Sequence, residues 1–226
     1  MTIKVKVCGI TNEKEMKKIE KLNVDHIGFI NIERSKRNVS LKKIVALENK
    51  LINKRVSTLV LEPNNAYRTI EKINRTQIFN VQLHSLNNYD IRYLKWLNQY
   101  HNYNQLNITK VIGLQNTLNQ KIINEIKQHS LYADNILLDY IKDGMTGGTS
   151  KQIPIETAIK ASKIIKSCNN KTQVTLAGGL NLDYLEKIQE KLSNFDMIDL
   201  NSGVENKPGQ KNINKIKKIL NIIDET

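Results

Sequence analysis

The sequence predicts an α/β protein built as a single (β/α)8 barrel over residues 1–226, and three observations carry that expectation. A short strand-like run followed by a stretch of helical period recurs eight times along the chain. No break in composition interrupts the alternation, which favours a parallel sheet closed on itself. An open doubly wound sheet would carry a G-x-G-x-x-G turn near its first strand, and none is present. Finally, Val174-Thr-Leu-Ala-Gly-Gly-Leu-Asn181 and Met197-Ile-Asp-Leu-Asn-Ser-Gly-Val-Glu205 both start as buried-strand runs and break into small residues. Glycines at such strand ends leave backbone N–H groups bare for a tetrahedral anion, and a following helix N-terminus adds positive partial charge. The TIM-barrel architecture places a phosphate cup of this kind after strands seven and eight.

The elements follow in order. Lys4-Val-Lys-Val-Cys8 alternates like a strand, and Thr11 or Asn12 caps a helix with Met16, Ile19 and Leu22 on its apolar face. His26-Ile-Gly-Phe-Ile30 is the second strand; after a polar loop, Ser40 caps a helix carrying Ile44, Val45, Leu51 and Ile52. Val56 to Leu61 is the third, ended by Glu62-Pro63, with Asn64 or Asn65 capping the helix of Ile70 and Ile73. Ile78 to Leu83 makes the fourth, with Ile91, Leu94 and Leu97 on its helix. Lys110 to Leu114 is the fifth, followed by Leu118, Ile122 and Ile126. Asn135 to Asp139 is the sixth, and a long loop, Tyr140 to Ile153, leads to a helix with Ala158, Ile159, Ile164 and Ile165. Val174 to Ala177 precedes Leu182, Leu185, Ile188 and Leu192; Met197 to Leu200 precedes Ile213, Ile216, Leu220 and Ile223.

Composition excludes several function classes. No run approaches the roughly 18 apolar residues of a membrane span, and the N-terminus lacks a signal-peptide core, so the expectation is a cytoplasmic protein without a membrane partner. Cys8 and Cys168 make no disulfide framework, and the scattered His26, His84, His101 and His129 give no metal-ligand spacing, so no structural metal is expected. Net charge +13 raises nucleic acid as a partner. The lysines, however, are spread over every helix, and aromatic residues, at 5%, do not interleave with basic ones. A solvated surface, or a field that steers a polyanionic small molecule, accounts for the charge better.

A parallel barrel does its chemistry at the C-terminal strand ends and in the loops that follow. Cys8 ends the first strand and Asp139 the sixth, so the two face a central ligand from different sides. A thiolate takes a proton and a carboxylic acid gives one, provided the site lowers the first pKa and raises the second. The bland alternatives are a small buried cysteine, and for Asp139 a helix cap or ion pair. Arg37 is either a solvated loop charge or a planar fork for a substrate carboxylate. For His84 a hydrogen bond to loop backbone is the preferred role. Asp199 either lines the barrel mouth or pairs with a basic neighbour, and Cys168 is incidental.

Taken together, these residues resemble the phosphoribosylanthranilate isomerase family. The likeness runs through Val5-Lys-Val-Cys-Gly-Ile-Thr11, Gly28-Phe29, Ser35-Lys-Arg-Asn-Val-Ser40, Val81-Gln-Leu-His84, Leu137-Leu-Asp139, Gly147-Gly-Thr149 and Leu176-Ala-Gly-Gly-Leu-Asn181. It ends with Asp199-Leu-Asn-Ser-Gly-Val-Glu205, Pro208-Gly and Lys211. The resemblance implies a cofactor-free Amadori rearrangement in tryptophan biosynthesis, with Asp139 as general acid and Cys8 as general base. It further implies that Arg37 holds the anthranilate carboxylate, and that Gly178, Gly179, Ser202 and Gly203 hold the phosphate under a loop containing Gly147 and Gly148. His84 and Asp199 join the substrate-binding set. The implied partner is a small phosphorylated substrate, and the implied assembly a monomer or homodimer.

Two places depart from the family pattern. Ser150 stands where Gly-Gly-Thr-Gly would end, with Ile153-Pro154 where an aromatic residue often follows, and the third strand ends in Leu61-Glu-Pro-Asn-Asn65. The competing readings are a related phosphosugar isomerase, including a dual-substrate one, and a basic barrel without catalysis that binds RNA or a protein. A histidine-pathway isomerase would place an acidic base where this chain has Cys8. An indole-glycerol-phosphate synthase would show a lysine and glutamates at its strand ends.

Overall fold

The computed structural model of the protein describes residues 3–100, 106–142, 144–146 and 151–224. Eight strands are inward of eight helices. They are β1 (Lys4–Cys8), β2 (His26–Asn31), β3 (Ser57–Leu61), β4 (Asn80–Leu83), β5 (Asn107–Leu114), β6 (Asn135–Lys142), β7 (Gln173–Leu176) and β8 (Met197–Leu200). Each pairs in parallel with the next, and β8 pairs with β1, Lys6 standing opposite Asp199, so the barrel closes. The helices are α1 (Glu13–Glu20), α2 (Leu41–Glu48), α3 (Ala66–Thr76), α4 (Asn88–Tyr100), α5 (Gln120–Ser130), α6 (Ile155–Cys168), α7 (Leu182–Ile188) and α8 (Ile213–Asp224).

The abundant asparagine finds a local use. Asn12, Asn65, Asn119 and Asn181 cap α1, α3, α5 and α7, each side-chain oxygen accepting a backbone N–H three residues on. Each such cap is worth about 0.5–2 kcal/mol. The main core lies between the helices and the outer face of the strands, where Val5, Val7, Ile27 and Phe29 meet Met16, Ile19 and Ile44. Among the described residues no helix is long and apolar enough to cross a membrane.

The inner face of the strands is different. Small apolar groups, Cys8 with Ile30 and Val60, and Val111 with Leu137 and Ala177, flank a polar layer. That layer contains Lys6, Thr58, Gln82, Asn135, Thr175 and Asp199, all buried. Asn135 and Thr175 satisfy each other at 2.8 and 3.1 Å. The polar layer forms the floor beneath the C-terminal mouth.

Several element bounds differ from the sequence expectation. Strand β5 begins at Asn107, because Asn107 to Lys110 continue the ladder with Asn80 to Leu83 although the start is polar. Val56 belongs to a 3₁₀ turn rather than to β3, and β4 starts at Asn80. Strand β6 runs on to Lys142 and folds back antiparallel on Met145–Thr146. Leu192 lies in a 3₁₀ segment beyond the end of α7.

Candidate active site

The C-terminal strand ends converge on a cavity of about 300 Å³. Its wall includes Cys8, Arg37, His84, Asp139, Gly178, Gly179, Asp199 and Ser202. Gly203 is not among the lining residues, and Gly147 and Gly148 fall outside the described part of the chain. Cys168 lies at the last position of α6, away from this cavity.

Cys8 ends β1 and is buried. Gly28 makes room for its sulfur, and Gly9 makes room for Arg37. A Cβ on Gly28 would stand 2.8 Å from the Cys8 sulfur, and one on Gly9, whose φ is +78°, would stand 2.7 Å from Arg37 Cδ. Burial pushes the Cys8 thiol up; Lys6 and Lys211 pull it down, and Asp199 adds to the rise. The lowering that a thiolate base requires is therefore not met by the site as it stands, because loss of hydration outweighs both cations.

Asp139 sits well inside the mouth, and its Oδ1 accepts the N–H of Tyr140 at 2.8 Å. Gly178, with φ +91°, brings the turn after β7 against the same carboxylate: a Cβ there would stand 3.0 Å from Oδ1. Gly179 also has positive φ, +58°, and its carbonyl accepts from Gln152 at 3.1 Å. The paired turns after β7 and β8 come close enough that a Cβ on Gly203 would stand 1.9 Å from the Leu180 carbonyl oxygen.

Arg37 is not a solvated loop charge. It is 7% exposed, and its Nε and Nη2 grip the Glu205 carboxylate at 2.5 to 3.1 Å. Lys211 bonds the same carboxylate at 2.8 Å, along with Asn201 Oδ1 at 2.8 Å. Burial works to raise the Glu205 pKa, but Arg37 and Lys211 together hold it below the usual range. The pairing occupies the Nε–Nη2 edge of the guanidinium.

A hydrogen-bonded chain crosses the floor of the cavity. Lys6 Nζ donates to Asp199 Oδ2 at 2.7 Å and to Gln82 Oε1 at 2.6 Å. Gln82 Nε2 is then left to donate to His84 Nε2 at 3.1 Å, which places the imidazole proton on Nδ1, facing Thr146 Oγ1 at 2.9 Å. Burial drives the His84 pKa down to about 3, so this assignment describes a neutral ring at all ordinary pH. His84 thus bonds side chains rather than loop backbone. Asp199 both lines the mouth and pairs with a basic neighbour, and its Oδ1 is buried without a partner.

Burial also acts on both members of that ion pair. It lowers the Lys6 pKa, but Asp199 and Cys8 reverse this and hold Lys6 above its ordinary value. It raises that of Asp199 despite Lys6. The two directions compete for one proton. With Nζ and Oδ2 only 2.7 Å apart, the ionised pair is the state that leaves neither charge alone.

Lys6, Gln82, Thr146, Glu205 and Lys211 are parts of this site that the sequence reading did not assign. One signal was available: the period of two puts Lys6 on the same strand face as Cys8. Among the described residues no group of three or more His, Cys, Asp or Glu is placed to hold a metal ion.

A family model described as N-(5'-phosphoribosyl)anthranilate (PRA) isomerase matches residues 5–222. The chain is 31% identical over 223 residues to the N-(5'-phosphoribosyl)anthranilate isomerase of Methanothermobacter marburgensis, covering 98% of this chain and 95% of that one. It is 33% identical over 225 residues to the enzyme of that name from Petrotoga mobilis, covering 98% and 97%. The crystal structure of phosphoribosyl anthranilate isomerase from Thermotoga maritima superposes with a TM-score of 0.78 at 20% identity, covering 99% of this chain and all, 100%, of that one. A structure of such an enzyme in complex with reduced 1-(o-carboxyphenylamino)-1-deoxyribulose 5-phosphate gives 0.75 at 20%, with 99% and 100% covered.

Proposed function

The chain belongs to the N-(5'-phosphoribosyl)anthranilate isomerase family and is an isomerase of tryptophan biosynthesis. On that premise we propose that Asp139 and Cys8 are its general acid and general base in a cofactor-free Amadori rearrangement, carried out by residues 1–226 as one domain. The substrate is N-(5-phosphoribosyl)anthranilate and the product 1-(2-carboxyphenylamino)-1-deoxyribulose 5-phosphate. One observation carries the reading. Cys8 and Asp139, from strands well apart in the barrel, line one cavity beside a turn with two positive-φ glycines.

Asp139 protonates the ribose ring oxygen, the C1–O bond breaks with its electrons going to that oxygen, and an iminium forms. The Cys8 thiolate then takes the C2 proton, and the C–H electrons form the double bond of an enolamine. Tautomerisation moves a hydrogen to C1 and gives the ketone. The Nη1 edge of Arg37 holds the anthranilate carboxylate, Glu205 having set the guanidinium plane. Asp199, in the cavity wall, accepts from a sugar hydroxyl. His84, as a neutral ring, closes the wall. Backbone N–H groups around Gly178, Gly179, Ser202 and Gly203, with Gly147 and Gly148, hold the phosphate.

The test is an isomerase assay on freshly generated phosphoribosylanthranilate, following loss of anthranilate-type fluorescence. Cys8→Ala and Asp139→Ala should each lower kcat by at least about 10²-fold, the low end for a general acid or base. Full activity in either variant removes that residue from its role.

A further inference from the structure

Cys8 has a difficulty as a base: it is buried, and burial favours the thiol. Lys6 stands on the same inner face of β1, one inward position before Cys8, and is itself only 3% exposed. Two of its three ammonium hydrogens go to Asp199 and Gln82, two residues of the cavity wall, which fix the nitrogen behind that wall. A lysine so held cannot swing out to water without leaving Asp199 buried and unpaired.

We propose that Lys6 is the positioning residue that makes Cys8 usable as a base, its fixed ammonium being the charge against which the thiolate forms. The inference rests on the assignment of Cys8 as the base. In the ionisation the S–H bond breaks, the electron pair stays on sulfur, and the proton leaves to water through the mouth. Lys6 then shares its charge between Asp199 and the thiolate. Asp199 and Gln82 act through Lys6, by holding its nitrogen in place. The sign of the coupling is already present in the site, where the positive charge of Lys6 pulls the Cys8 thiol down.

Other charged groups face this thiol as well. Lys211, in the segment after β8, also pulls its pKa down, while Asp199 on β8 pushes it up. Arg37 packs over Gly9 and is bonded to Glu205, Asp139 approaches from β6, and His84 from β4 is neutral. Loss of Lys6 also leaves Asp199 without its cation, so the contribution of Lys6 to the thiol is read separately in the Asp199→Asn background.

The experiment measures the rate of Cys8 alkylation by iodoacetamide against pH, without substrate, in a Cys168→Ser protein where Cys8 is the sole thiol. Lys6→Met should move the midpoint upward by at least one pH unit, so that alkylation at neutral pH slows about tenfold or more. Asp199→Asn should move it downward. Lys6→Met is also measured in the Asp199→Asn background, where no buried carboxylate is left without its cation, so that misfolding of the single variant does not remove the test. A rise of the midpoint on losing Lys6 supports the proposal in either background; unchanged midpoints in the background that folds overturn it. In turnover, Lys6→Met should lower kcat with little change in KM and recover as the pH is raised, with Lys6→Arg restoring part of the rate. If Cys8→Ala is inactive while Lys6→Met leaves the alkylation profile unmoved, the role of Lys6 alone falls. If Cys8→Ala is active, the assignment of the base falls instead.

Discussion

Replacing Gly203 with alanine probes the proposed phosphate cup through space rather than through chemistry. Gly203 is not one of the positive-φ glycines, so its backbone accepts alanine without strain. The obstacle is contact: the new Cβ would stand 1.9 Å from the Leu180 carbonyl oxygen, 2.6 Å from its carbonyl carbon and 3.1 Å from Asn181 Cα. All three are backbone atoms, so no side chain can swing aside. The two turns must separate by about 1.5 Å to reach an ordinary non-bonded distance of about 3.5 Å or a little less. Asn181 caps α7, so that separation disturbs the helix start together with the cup. Overpacking of this kind costs about 1–3 kcal/mol. For a chain of this size that corresponds to a Tm lower by about 2–12 °C. In the isomerase assay KM should rise about tenfold, equivalent to about 1.4 kcal/mol of lost binding. The inhibition constant of inorganic phosphate, used as a competitor, should rise in parallel. A Gly203→Ala protein with wild-type Tm, KM and phosphate inhibition would refute the idea that close approach of these turns forms the cup.

Two other outcomes are expected. Arg37→Ala should raise KM with kcat largely kept if the carboxylate contact is equally strong in ground and transition states; an unchanged KM takes Arg37 out of the site. Acid should destabilise the fold, because burial lowers the pKa of His26 and His129 to about 4 and of His84 to about 3, from 6.5. The unfolded chain binds protons there that the folded one refuses, so stability held above about pH 6.5 is lost as pH falls toward 4. Thermal melts at a series of pH values check this, and a Tm that stays level from pH 7 to 5 contradicts it.

Much of the barrel could be read from the chain, because helix and strand periods differ and each strand carries its own apolar run. The start of the fifth strand is not legible locally because its first residues include the polar Asn107 and Thr109; their place is set by the neighbouring strand, which a local pattern does not contain. The hairpin that lengthens β6 follows from pairing of Ile141 with Thr146 and has no run of its own. At the site, Cys8 and Asp139 could be named because strand ends locate chemistry. Lys6 is harder to name, since Lys-Val-Lys-Val read alone suggests that lysine faces water, and only the period of two, counted from Cys8, turns it inward. In the closed barrel the valines face the helices and Lys6 faces the axis, where Asp199 and Gln82 receive it. Glu205 was legible as part of a motif but not as the partner of Arg37, 168 residues earlier.

The buried Lys6–Asp199 pair also restricts how this sequence can have drifted. Loss of either partner alone strands a buried charge, at about 3–5 kcal/mol. A lineage must therefore keep both or change both within few steps, and a neutral path through one substitution is closed. Relatives descended through this site should carry the two positions as a linked trait, so that an orphaned lysine or an orphaned aspartate is the rarest combination among them.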